Sequence, residues 1–213
     1  MHLYDLLFLF IMKKLKLQTS TGNGLYLKNI PLTWKKNGEV TMKAFLILVV
    51  CLLLCCPVAN AQTVEQAKKQ QVIKALNGPH GAQIKASTKK YSIKYGIDEK
   101  LILAVIMTES GFNPYAGSSG GCMGLMQLSP TTFRARQVGT NIYNIDQNIH
   151  AGVKHLAGLK CKYHGDTRRM LAAYNYGGGR IYANKPIPLG ALKYINHVYY
   201  HKLIIDSLKL TNS

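Results

Sequence analysis

The chain is poor in acidic side chains. Its 213 residues include nine Asp and Glu against 27 Lys and Arg, and a single Trp. After residue 61, 20 basic side chains stand against seven acidic ones, a net charge of +13. This excess favours an anionic partner such as cell-wall polymer, a membrane surface or nucleic acid, with solubility as the plainer explanation. No recognised nucleic-acid motif interleaves the lysines, so we expect no nucleic-acid partner.

The chain also lacks an apolar run long enough for a comfortable membrane span, which takes about 20 residues. The run Ala44 to Cys56 is shorter; Lys43 precedes it and Ala59-Asn60-Ala61 follows it. This pattern predicts a signal peptide over 42–61, cleaved near Ala61. The mature protein is then periplasmic or secreted, without a stable membrane span. Lipidation of a leader cysteine and a retained N-terminal anchor are the alternatives.

The other boundaries follow from composition. Residues 1–41 fit no part of an export signal, so we predict an untranslated or spurious leader, with translation starting at Met42; a longer, unusual leader or a membrane-lying segment is the alternative. Residues 62–84 form a polar, loosely attached lead-in with a helix over Val64–Leu76, residues 85–205 the main domain, and 206–213 a C-terminal tail.

Few cysteines remain after the leader. Cys122 and Cys161 are an even pair in an exported chain, so we predict a disulfide that closes the loop after residue 109 onto a later helix. Two free buried thiols are the alternative. No histidines stand at a recognised metal-ligand spacing from this pair, so we expect neither a metal nor another cofactor.

Runs of alternating polarity and internal repeats are absent too, whereas helical patterns recur. Asp98, Asn144 and Asp166 each stand before such a pattern and are typical N-caps. We therefore predict a compact all-α domain. The predicted helices cover 87–95, 98–109, 130–137, 145–161, 167–174 and 189–208.

Glu109 is the acid left without an ordinary structural role. It follows Leu101–Met107, which is apolar on every helical face and so predicts a buried helix, and Gly111 is placed for a left-handed C-cap. Burial and the negative helix end both disfavour a charged carboxylate and would raise its pKa, as a general acid near neutral pH requires. A solvent-facing acid at a helix end is the alternative.

Three short motifs follow in order: Glu109-Ser110-Gly111-Phe112-Asn113-Pro114, Gly124-Leu125-Met126-Gln127-Leu128-Ser129-Pro130 and Ala172-Ala173-Tyr174-Asn175-Tyr176-Gly177. In this order and spacing the chain resembles the soluble lytic murein transglycosylases of the goose-lysozyme-like superfamily. The resemblance implies a lysozyme-like fold with a saccharide groove. It also implies cleavage of the β-1,4 bond between N-acetylmuramic acid and N-acetylglucosamine in peptidoglycan, without water, to a 1,6-anhydro product.

The resemblance assigns roles to individual positions. Glu109 is the acid/base, and the hydroxyl of Tyr174 is expected to reach toward it or toward the sugar. The substrate-binding positions are Ser118, Met126, Gln127, Tyr174, Asn175 and Tyr194. For Ser118 the alternative is a turn-stabilising hydroxyl, and for Met126 and Tyr194 it is a place in the core.

Two departures from the family pattern stand out. Tyr176 replaces a small residue of the third motif, which is expected to narrow the groove, and Gly190-Ala191 stands where many members carry Glu-Thr. The short form resembles members that accompany secretion, conjugation or pilus machines, which become expected partners beside the glycan strands. A hydrolytic lysozyme-type muramidase and a non-catalytic peptidoglycan-binding assembly factor remain alternatives.

Overall fold

Helices make up nearly all the regular structure of residues 62–208, the part of the chain that the computed structural model describes. No strand occurs within these residues, and only two isolated bridges join Gly117 to Met123 and Met123 to Leu128. The predicted all-α class is confirmed. The expectations for 1–41, 42–61 and the end of the tail lie outside the described residues. The seven helices are α1 (62–76), α2 (Gly81–Tyr95), α3 (Glu99–Ser110), α4 (Pro130–Arg136), α5 (Ile145–Lys162), α6 (Thr167–Tyr176) and α7 (Leu189–Ser207).

Helix α3 runs through the middle of the core. Every residue from Leu101 to Met107 is buried, and the helix packs against both α2 and α7. A helix that is apolar on all sides can satisfy its surface only when it is surrounded, which is the arrangement seen here. The prediction of a buried helix leading to Glu109 is confirmed.

The predicted N-caps are confirmed as well. Asp98, Asn144 and Asp166 each accept a hydrogen bond from a backbone N–H in the first turn of α3, α5 and α6. These bonds satisfy donors that the helix itself leaves unpaired. They fix where three of the helices that carry or support the site begin.

The lead-in before residue 84 is more firmly attached than its polar composition predicts. Val72 and Leu76 of α1 are 1% and 3% exposed and join the hydrophobic core. Gly81, at the start of α2, lies so close to the backbone of Leu76 that no Cβ would fit there. The loosely attached lead-in was therefore a wrong expectation, while the helix expected over Val64–Leu76 is present.

No helix within 62–208 is long and apolar enough to cross a membrane.

A polar network joins α2 to the start of α5. Ser87 and Tyr91 donate hydrogen bonds of 2.9 and 2.7 Å to the two carboxylate oxygens of Asp146. The Tyr91 ring also stacks on His150 with 4.2 Å between ring centroids. Because these contacts cross between helices, they hold the first turns of α5 in place, and those turns support the loop described below.

Candidate active site

Glu109 lies in the last turn of α3, where the helix leaves the core. Gly111 follows with φ = 59°, and its N–H donates to the carbonyl of Met107 over 3.1 Å. This left-handed C-cap, which suits glycine because it has no Cβ, ends the helix two residues after the acid. The sequence prediction of both the helix end and its cap is confirmed.

Tyr194 of α7 holds the carboxyl group. Its hydroxyl donates to Glu109 Oε1 over 2.6 Å, and the tyrosine is only 8% exposed. No hydrogen bond joins Oε2 of Glu109 to any residue of 62–208. One oxygen is therefore fixed by the protein, and the other is available to a ligand.

Burial sets the protonation of this pair. Removal from water raises the pKa of Glu109 from 4.5 to about 7, and the hydrogen bond from Tyr194 acts in the opposite direction. Burial, followed by the negative charge of Glu109, raises the pKa of the Tyr194 phenol well above its ordinary value. Near neutral pH the tyrosine is thus a permanent donor, whereas the carboxyl can both give and take a proton.

Tyr174 does not reach Glu109, and its expected reach toward the sugar stays a prediction. Its hydroxyl donates to the backbone carbonyl of Met126 over 2.8 Å, not to Glu109. The charge of Glu109 nevertheless contributes, after burial, to raising the pKa of Tyr174, so the two groups interact electrostatically. The reach toward the acid belongs to Tyr194, and Tyr174 instead ties α6 to the loop between α3 and α4.

The side chain of Met126 lies in the core. It is 0% exposed, and its sulfur packs so closely on Gly152 of α5 that no Cβ would fit at that glycine. The expectation that this side chain lines the groove is therefore corrected, because a methionine sealed against a helix backbone has no free surface for a sugar. Its backbone carbonyl still contributes by receiving the Tyr174 hydroxyl.

Gln127 braces the same loop. Its backbone adopts φ = 45°, and its Nε2 donates to the carbonyls of Ala116 and Gly124 over 3.1 and 3.0 Å. The amide nitrogen is thus fully used inside the protein. Its Oε1 makes no hydrogen bond within 62–208 and is the atom that could accept one from a sugar.

Asn148 of α5 is the residue that sequence reasoning missed. Its Oδ1 accepts from the N–H of Met126 over 2.9 Å, and its Nδ2 donates to the carbonyls of Met123 and Ile142 over 3.2 and 2.8 Å. The residue is 1% exposed. Gly124 passes so close to this amide that a Cβ would clash with it. A buried side chain thus fixes the loop that carries Gln127.

Ser118 and Asn175 are both exposed. The hydroxyl of Ser118 accepts from the N–H of Cys122 over 3.0 Å, which is the turn-stabilising role considered as its alternative. The side chain of Asn175 makes no hydrogen bond or ion pair within the described residues and is free to meet a ligand. Their substrate-binding roles stay predictions.

The predicted disulfide is absent, and Cys122 and Cys161 are both free thiols. Asn148 bonds Met123, so Cys122 lies beside the first turns of α5, whereas Cys161 is thirteen residues farther along that helix. That separation corresponds to about 20 Å along the helix. A disulfide needs Cα atoms within about 7 Å, so the fold keeps the two apart.

The other acidic side chains within 62–208 do not influence Glu109, whose pKa responds to burial and to Tyr194. All of them except Glu99 cap helices, bond Ser87 and Tyr91, or pair with lysine and arginine. Glu99 lies at the opposite end of α3.

Within residues 62–208 no group of three or more His, Cys, Asp and Glu could hold a metal ion. A cavity of about 300 Å³ adjoins Gly111 and Phe112, but Glu109 does not line it.

Part of the chain is similar to known proteins. Residues 86–187 match the family model of the transglycosylase SLT domain. Membrane-bound lytic murein transglycosylase C of Mannheimia succiniciproducens is 34% identical over 140 residues, which cover 58% of this chain and 39% of that protein. Its counterpart in Histophilus somni is 38% identical over 110 residues, which cover 44% of this chain and 30% of that protein. The chain therefore spans less than half the length of these relatives.

Two solved structures share the fold. The lytic transglycosylase Slt of Pseudomonas aeruginosa, an inactive glutamate-to-glutamine mutant, aligns with a TM-score of 0.51 at 23% identity, over 60% of this chain and 24% of that one. The 70 kDa soluble lytic transglycosylase of Escherichia coli aligns with a TM-score of 0.51 at 23% identity, over 56% of this chain and 23% of that one. These likenesses confirm the lysozyme-like fold. Residues 86–187, just under half of the chain, therefore match the transglycosylase SLT domain, and the chain is similar to lytic murein transglycosylases over this part.

Proposed function

We propose that the protein is a peptidoglycan lytic transglycosylase that cleaves the β-1,4 bond between N-acetylmuramic acid and N-acetylglucosamine without water. The observation that carries the proposal is Glu109, a single carboxyl with a pKa of about 7, held through one oxygen by Tyr194. Such a group is partly protonated and partly ionised at neutral pH. It can therefore serve as acid and as base in one cycle.

The reaction needs both roles in turn. Protonated Glu109 gives its proton, from Oε2, to the glycosidic oxygen, and the bond from that oxygen to the muramic C1 breaks. The N-acetylglucosamine end leaves with a 4-hydroxyl. The Glu109 carboxylate then takes the proton of the muramic 6-hydroxyl as its oxygen bonds to C1. This step forms the 1,6-anhydro ring and restores the acid, so no water is consumed.

Within residues 62–208 no second carboxyl acts on Glu109, which favours this route over hydrolysis. Hydrolytic glycosidases ordinarily place two carboxyls about 5 to 10 Å apart. A negative charge at that range would raise the pKa of Glu109, yet burial is the only cause that raises it. Glu99, on the same helix, is ten residues away, or about 15 Å along the axis.

The cellular setting is part of the same proposal. We infer that the protein acts in the cell envelope after cleavage near Ala61, where its net charge of +13 beyond that point would attract an anionic wall polymer. The relatives' printed names, membrane-bound lytic murein transglycosylase C, agree with an envelope location. We further propose that it opens the wall locally for a secretion, conjugation or pilus machine.

The test is a digest of purified peptidoglycan by the full chain, followed by mass spectrometry of the fragments. Glu109→Gln removes the proton donor, and Glu99→Gln is the matched control, since it changes the same residue type at the other end of α3. We expect 1,6-anhydromuramic ends from the unchanged protein and from Glu99→Gln, and a loss of about 100-fold or more with Glu109→Gln.

Two results would contradict the proposal. Reducing muramic ends from the unchanged protein would identify a hydrolytic muramidase. Absence of cleavage by folded protein that still binds peptidoglycan would indicate a binding or assembly factor.

A further inference from the structure

The ring of Tyr176 occupies the space that a side chain at residue 190 would fill. Tyr176 is the last residue of α6, and Gly190 is the second residue of α7. A Cβ placed on Gly190 would lie 3.2 Å from Cε2 of the tyrosine ring, closer than ordinary packing allows. The ring is thus seated on bare helix backbone, yet Tyr176 remains 39% exposed.

This seat lies on the helix whose Tyr194 holds Glu109. Gly190 precedes Tyr194 by four residues, so the two share one face of α7 and are separated by about 6 Å along the helix axis. Tyr194 in turn donates to Glu109. The Tyr176 ring therefore lies about one helical turn from the tyrosine that holds the acid.

Arg180 contacts the same ring. Its guanidinium lies 5.9 Å from the ring centroid of Tyr176, within the range of a cation–π interaction. Arg180 belongs to the loop between α6 and α7 and forms no ion pair within the described residues. The contact ties this loop to the ring and limits the positions that the exposed tyrosine adopts.

We infer that Tyr176 is a specificity-determining residue whose ring packs against a pyranose unit of the glycan strand, beside the bond that Glu109 cleaves. The inference rests on the proposed function and adds a contact to it. Pyranose rings present C–H groups on their faces, and a fixed, exposed aromatic surface buries such groups well. The ring acts on substrate binding and leaves proton transfer to Glu109.

Truncation of the ring tests the contact. Tyr176→Ala in the full chain should raise KM for isolated glycan strands about five- to tenfold, the loss of roughly one aromatic contact, while kcat changes less than twofold. Tyr176→Phe keeps the ring and should behave like the unchanged protein. Tyr182→Ala is the matched control, because Tyr182 is also exposed, at 53%, and has Lys185 5.2 Å from its ring centroid.

Gly190 supplies a second, independent test. Gly190→Leu should push the ring off its seat and raise KM as Tyr176→Ala does. In the double variant the leucine should add nothing, since the ring it displaces is already gone; non-additivity of this kind identifies two residues that act through one contact. Additive losses, or a Tyr176→Ala variant with unchanged KM, would overturn the inference.

Binding measurements separate this inference from the proposed function. Glu109→Gln protein, with and without Tyr176→Ala, is titrated with glycan strands. Weaker binding with Tyr176→Ala supports the contact even if the unchanged protein cleaves nothing. Absence of cleavage would contradict only the proposed function. Cleavage to anhydro ends, with equal binding by both proteins, would keep the function and overturn the role of Tyr176.

Discussion

The Glu109 carboxyl keeps its proton up to about pH 7 in the folded protein, whereas in the unfolded chain it loses it near pH 4.5. The folded state therefore binds more protons than the unfolded state between these values. Stability contributed by this group is fully present below pH 4.5 and is lost as the pH rises to about 7. Glu109→Gln removes the titration, so the variant should be the more stable protein at pH 8 and equal to its parent near pH 4.

The size of this effect follows from the pKa shift. One pKa unit corresponds to 1.36 kcal/mol, so a rise from 4.5 to about 7 corresponds to about 3 kcal/mol at pH 8. Glutamine can still accept the hydrogen bond from Tyr194 through its Oε1, so little else should change. For a domain of this size the gain corresponds to about 10 °C in Tm.

Urea unfolding of both proteins, measured by circular dichroism at pH 4, 6 and 8, gives the difference directly. The other carboxyl groups titrate in both proteins and cancel. Glu99→Gln is again the control, since it makes the same change at the other end of α3. A stability difference that stays constant from pH 4 to pH 8, or a glutamine variant that is less stable at pH 8, would refute the argument that burial raises the pKa of Glu109.

The remaining predictions concern the groups around the acid. Tyr194→Phe removes the bond that lowers the pKa of Glu109, so the alkaline limb of the kcat/KM profile should move upward from about pH 7 by about half to one unit; an unmoved limb would contradict this. Asn148→Ala strands three backbone groups and should cost about 3 kcal/mol or more in urea unfolding, whereas a cost below about 1 kcal/mol would deny its anchoring role. Because Cys122 and Cys161 are free thiols, dithiothreitol should leave Tm unchanged. A Tm lowered by dithiothreitol would instead indicate a disulfide between them.

Local signals account for what the sequence predicted well. Asp98 and Asp166 each accept a hydrogen bond from a backbone N–H in the first turn of the helix that follows them, so their place in the sequence alone predicts where α3 and α6 begin. The start of α2 at Gly81, six residues before the predicted start, carried no such signal, because His80 at its N-cap makes no side-chain capping bond. The position of Glu109 at the end of a buried helix was predictable for the same local reason, since the buried run before it and the glycine cap after it are contiguous in sequence.

Long-range packing decided what the sequence could not show. Tyr174 and Tyr194 are both tyrosines on predicted helices, and only the packing of α6 and α7 around α3 determines which hydroxyl reaches Glu109. Asn148 stands beside the apolar stripe of α5, with no local sign that it would hold a loop more than twenty residues before it. The disulfide prediction was wrong for the same reason, because an exported chain with two cysteines gives no information on how far apart the fold places Cys122 and Cys161.

The central claim is that one carboxyl cleaves the glycan without water. Digestion of peptidoglycan in water enriched in oxygen-18 tests it most directly, with mass spectrometry of the newly formed muramic ends. We predict 1,6-anhydro ends that carry no label, since the oxygen joined to C1 comes from the sugar's own 6-hydroxyl. Labelled reducing ends formed by the unchanged protein would contradict the account.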